Sequence, residues 1–170
     1  MKTLRRVLLG TALGAALALG SAQAGSDVST ASWDALSLVG TWQFVMTVRF
    51  DSEDCATSDP IPFGPNPFPG LVSFHEGGTL SEYASRSPPG VRTTGFGSWK
   101  RTGLYRYKAR HTFMEFDANG ALARTMVIEQ NLNLSKKGSA YTSVGRLELT
   151  DVKGTVTNFC TTIEGVRFKA

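Results

Sequence analysis

Two histidines, His75 and His111, and four strand-borne carboxylates, Glu76, Glu82, Glu115 and Glu129, are the side chains best suited to proton chemistry in this 170-residue chain. A general acid or base must be held within reach of its substrate. Two of the carboxylates converging across neighbouring strands would supply such a pair; the alternative is that they lie on solvated strand faces. The densest cluster is Tyr105, Tyr107, His111, Phe113 and Glu115, which share one side of an extended segment. A few polar groups among apolar walls make a small-molecule pocket. The same row could instead fill a core, with the tyrosine hydroxyls reaching the barrel rim. If the pocket is catalytic, His111 and Glu115 are the candidates to move a proton. The histidines have no cysteine cluster beside them and no His-Glu-x-x-His spacing, so neither a metal site nor a cofactor is expected. The chain also lacks a Gly-x-Ser-x-Gly elbow and a glycine-rich phosphate loop.

Arg106, Lys108 and Arg110 alternate with the aromatic row and so point the other way. Phosphate contact and base stacking would fall on opposite sides, which argues against a nucleic-acid partner. Net charge agrees. Of the 18 basic residues, three (Lys2, Arg5 and Arg6) precede an apolar run from Val7 to Gly20 that leads into Ala22-Gln23-Ala24. This is the pattern of a secretory signal peptide, with cleavage expected after Ala24. Its loss leaves 15 basic residues against 14 acidic ones. The apolar run is shorter than the roughly 20 residues of a membrane-spanning helix. Residues 1–24 are therefore read as the leader, 25–38 as an amino-terminal segment and 39–170 as one domain, secreted or periplasmic. Export permits a disulfide, and Cys55 and Cys160 are the only cysteines.

Period-two alternation dominates the domain. From Val39, Trp42, Phe44, Met46, Val48 and Phe50 share one face, with Phe44 and Met46 candidate pocket walls. Leu71 to Glu76 and Thr79 to Ala84 form a hairpin around Gly77-Gly78. Phe96 to Arg101 and Leu104 to Phe116 follow, joined at Thr102-Gly103. Asp117-Ala118-Asn119-Gly120 is a strong turn. Ala121 to Leu134, Ala140 to Thr150 and Thr155 to Phe168 complete eight strands. With no helical crossovers, the strands must form an antiparallel meander. Closure into a barrel would remove both sheet edges and place Cys160, in the last strand, beside Cys55, just after the first. A β-sandwich remains an alternative. Ahead of the barrel, Thr30 could cap a short helical turn carrying Trp33 and Leu36, or that stretch could be unstructured.

Gly40-Thr41-Trp42 at the first strand and Arg167 in the last resemble the lipocalin and calycin group of up-and-down barrels. The resemblance implies an all-β, eight-stranded antiparallel barrel in which Trp42 packs at the closed end under Arg167. The segments Val72 to Leu80 and Gly97 to Gly103 are also similar to a family of uncharacterised secreted bacterial proteins, a likeness that implies no activity. Pro60 to Pro69 holds five of the seven prolines and cannot be an interior strand. It would be a stiff lid presenting Phe63 and Phe68 to a ligand, or a loop fastened to the wall by those rings. The expected function is binding of a small apolar or amphipathic molecule by Phe44, Met46, Phe63, Phe68, Tyr105, Tyr107, His111 and Phe113. An isomerase or cyclase using the same cavity, and a filled barrel serving as an envelope or interaction module, are the alternatives.

Overall fold

The alternation is realised in eight strands that close on themselves in a computed structural model describing residues 37–88 and 90–169. They are β1 (Gly40–Phe50), β2 (Phe68–Phe74), β3 (Thr79–Ala84), β4 (Gly95–Arg101), β5 (Arg106–Phe116), β6 (Leu122–Leu134), β7 (Ala140–Asp151) and β8 (Val156–Arg167). Each strand pairs antiparallel with its sequence neighbours, and β1 pairs with β8 from Trp42↔Arg167 to Phe50↔Phe159, closing the barrel. Among the described strands none is left as an edge to pair with another chain. The leader, its cleavage site and the helical turn expected around Thr30, Trp33 and Leu36 lie outside the described residues. Among the described residues, no helix is long and apolar enough to cross a membrane.

Two strand boundaries differ from the sequence reading. β5 starts at Arg106, not Leu104, because the turn before it is wider than Thr102-Gly103. The Thr102 and Gly103 amides both donate to the Arg106 carbonyl, and Leu104 and Tyr105 complete the loop. β2 starts at Phe68, so Pro69 belongs to a strand, pairing opposite Val45. A proline is tolerated there because it stands at the second position of the strand, near its end. The remaining boundaries fall within a residue or two of the reading. At the β2–β3 hairpin, Gly77 and Gly78 adopt φ values of 82° and 85°, a left-handed conformation that suits glycine.

One end of the barrel is filled. Trp42 donates from Nε1 to the Leu38 carbonyl (2.9 Å) and meets the Tyr141 ring edge-on at 5.2 Å. Phe74 packs edge-on against Trp99, and Trp99 tilts against Tyr107 at 5.7 Å. The Arg167 guanidinium lies 4.3 Å from the centre of the Trp42 ring and donates to the carbonyls of Ser37, Val39 and Gly138. It thereby ties both ends of the described chain and the β6–β7 turn into one plug. Around the opposite end, Cys55 and Cys160 form a disulfide that fastens the β1–β2 loop to β8.

Candidate functional site

The loop residues 51–67, 85–88, 90–94, 117–121 and 152–155 all lie at the end of the barrel opposite Trp42, as strand direction requires. Between them opens a cavity of about 470 Å³. Its walls come from the inward rows of successive strands, including Met46, Phe68, Phe113, Met126, Ile128 and Leu147. The volume falls in the range of small-molecule sites.

The proline-rich segment rims this cavity, and Asn66 fastens it to β1. Asn66 accepts from the Val48 amide at Oδ1 (2.8 Å) and donates from Nδ2 to the carbonyls of Val48 and Ile61. It completes a short splice in which the Ile61 amide bonds Val48 and buries the Ile61 side chain. The two phenylalanines therefore separate: Phe68 is 4 % exposed and packed into the wall, whereas Phe63 is 52 % exposed at the cavity's edge.

Charge sits at two levels. At the cavity floor, Glu82 on β3 and Arg92 from the β3–β4 loop make a buried ion pair at 2.8 Å. The other Arg92 nitrogens donate to the carbonyls of Thr93 and Ala84, and its guanidinium lies 3.8 Å from the centre of the Phe113 ring. Every nitrogen of that guanidinium has a partner, which is how a buried charge becomes tolerable. Burial raises the Glu82 carboxyl above its ordinary value, with Arg92 opposing. Gly95 provides the room, since a Cβ there would lie 2.8 Å from Glu82 Oε2 and 3.2 Å from the His111 ring. His111 Nε2 stands 3.8 Å from Glu82 Oε2, beyond hydrogen-bonding distance. Among the described residues neither of its ring nitrogens has a hydrogen-bond partner. Burial, reinforced by Arg92, lowers its pKa to about 4, so the ring is neutral at neutral pH.

At the mouth, Glu115 accepts from Ser87 Oγ at Oε1 and from Arg124 Nε at Oε2, both at 2.6 Å. Arg86 lies over the Phe68 ring at 5.5 Å. Among the described residues its only hydrogen bond is a long one, 3.5 Å from Nη2 to the Phe63 carbonyl, and its buried Nη1 has no hydrogen-bond partner. Burial lowers its pKa; Glu115 acts against this and Arg124 with it.

Of the residues expected from the sequence, Met46, Phe63, Phe68, Phe113 and Glu115 border this cavity. Phe44 and His111 lie one layer deeper, around a void of about 10 Å³ shared with Glu82, Gln130 and Tyr141. Tyr105 and Tyr107 sit at the filled end with Trp99, away from the cavity. Tyr107, His111, Phe113 and Glu115 share the inward face of β5, but the strand runs the length of the barrel, and its row is divided among mouth, middle and plug. Glu82 and Glu115 are buried, contrary to the solvated-face alternative, whereas Glu129 meets Arg110 in an exposed pair and Glu76 is exposed. His75 lies at the far end, its Nε2 3.1 Å from Ser81 Oγ.

Arg86, Ser87, Arg92 and Arg124 were not singled out from the sequence. Glu82 carried a usable signal, because it alternates in phase with the buried Leu80 and Ala84. Arg86 and Arg92 carried none, since they lie in an aperiodic loop. Among the described residues, no three His, Cys, Asp or Glu side chains converge as a metal site would require. A scan against protein-family models finds no match, and no curated protein matches the sequence.

Proposed function

We propose that this protein is an exported container that takes one small apolar or amphipathic molecule into the open half of its barrel. The observation that carries this reading is the cavity of about 470 Å³ walled by Met46, Phe68, Phe113, Met126, Ile128 and Leu147, above a lower half that is already packed. Apolar ligand surface removed from water there contributes about 25 cal/mol per Å². Export is supported by the basic and apolar leader pattern and by the disulfide, a bond that persists outside the reducing cytosol.

Binding is favoured over proton transfer by the state of the candidate acids and bases. His111 is covered below the cavity floor, and both oxygens of Glu115 are already engaged. A general base needs an accessible atom within reach of the substrate. The reading is tested by titrating the mature, disulfide-bonded chain with a fluorescent fatty-acid analogue. Saturable one-to-one binding, displaced by unlabelled apolar competitors and with the competitor recovered unchanged, is expected. Absence of saturable binding across a panel of apolar probes overturns the reading.

A further inference from the structure

The polar groups around the cavity are unequally satisfied, and the inequality bears on the ligand's chemistry and orientation. At the floor, Arg92 has Glu82, Ala84 and Thr93 as partners, so the charges there are closed on each other. At the mouth, the Glu115 carboxylate is taken by Arg124 at one oxygen and by Ser87 at the other, and neither of these bonds involves Arg86. Among the described residues Arg86 has a single hydrogen bond, 3.5 Å to the Phe63 carbonyl, although a guanidinium carries five N–H donors. Its buried Nη1 has no hydrogen-bond partner among the described residues, and its guanidinium carbon stands 5.5 Å from the centre of the Phe68 ring, itself a wall of the cavity.

Resting on the container reading above, the geometry points to an amphipathic organic anion as the ligand, its carboxylate taken by Arg86 at the mouth and its apolar body directed down between Phe113, Met126 and Leu147. Carboxylate suits the fork of a guanidinium, which can offer two parallel N–H donors. Nη1 is covered in the present arrangement. Head-group capture therefore requires the guanidinium to turn away from the Phe63 carbonyl, giving up its long contact there for charge-assisted bonds. The reverse orientation, with the head at the floor, would bring a second anion against Glu82 and compete for an arginine each of whose nitrogens already has a partner.

The test uses dodecanoate, dodecanol and dodecyltrimethylammonium on the mature disulfide-bonded protein by displacement of a fluorescent probe at low ionic strength. In the unsubstituted protein, dodecanoate is expected to bind at least tenfold more tightly than dodecanol, with the ammonium compound weakest. This comparison requires no variant to fold. Arg86→Met is expected to bring dodecanoate down to the dodecanol level while leaving dodecanol unchanged, and Arg86→Lys to recover part of the preference. If dodecanol and dodecanoate bind equally, or Arg86→Met weakens both alike, the head-group assignment is overturned and the container stands. If none of the three binds saturably, the container reading falls and takes this one with it.

Discussion

His111 is predicted to make this barrel acid-sensitive by a definite amount. Its imidazole has no hydrogen-bond partner for either nitrogen, is buried beside the Arg92 guanidinium and titrates at about 4, against 6.5 in an unfolded chain. Between those pH values the unfolded chain holds a proton that the folded chain lacks, so stability rises with pH across the window and is lost on acidification. One pH unit of difference corresponds to about 1.4 kcal/mol, so the ring accounts for a loss of about 3 kcal/mol as pH falls from 7 to 4. The charged group nearest it on β3, Glu82, acts with the opposite sign. Its carboxyl is raised by burial, so the folded state holds that proton more readily than the unfolded one. Tyr141, also pushed up by burial, stays neutral throughout. The assay is urea unfolding at pH 7, 6, 5 and 4 of the unsubstituted protein and of His111→Leu, which replaces an unpartnered ring by an apolar side chain of similar size. At pH 7 the substitution breaks no hydrogen bond to the ring nitrogens, so the variant should be close to the parent or more stable. By pH 4 the variant should gain about 3 kcal/mol on the parent. Parallel stability curves over the whole range would refute the reasoning.

Reduction of Cys55–Cys160, or substitution of both by alanine, opens a loop with a sequence separation of 105. The loss expected from chain entropy is about 4.7 kcal/mol, which calorimetry should register as a fall in Tm of roughly 10 to 20 °C for a domain of this size; an unchanged Tm would contradict it. Arg92→Met leaves the Glu82 carboxylate buried without its ion-pair partner, and denaturant unfolding should show a loss of about 3 to 5 kcal/mol. Combining it with Glu82→Leu should restore much of that loss, and simple addition of the two single effects would count against a coupled pair.

The eight strands were legible because a barrel has a single inside, so every strand must alternate in step with burial. The run Trp42, Phe44, Met46, Val48 displays that alternation without interruption. Turn chemistry fixed the order of pairing, as at Gly77-Gly78. Depth was another matter. Alternation says that Tyr107, Ala109, His111, Phe113 and Glu115 point inward, but not which of them faces empty space, and only the last two reach the cavity. The charged part of the site was the least visible. Arg86 and Arg92 come from a loop with no period, and their burial depends on contacts to Phe68, Glu82 and Phe113 that only the folded chain creates. Glu82 was in phase with its buried neighbours, yet a carboxylate is an unusual core residue unless a cation reaches it, and that cation lies ten residues further on.

The central claim is that the open half of the barrel, bounded by Leu147 and its neighbours, holds a ligand. Leu147→Trp projects a large side chain into the existing space without disturbing the plug around Trp42. Titration of this variant and its parent with the same fluorescent fatty-acid analogue, alongside thermal unfolding of both, is the most direct test. Saturable binding by the parent and its loss in a variant of unchanged Tm is the predicted result. Equal affinity in the two proteins would contradict the claim.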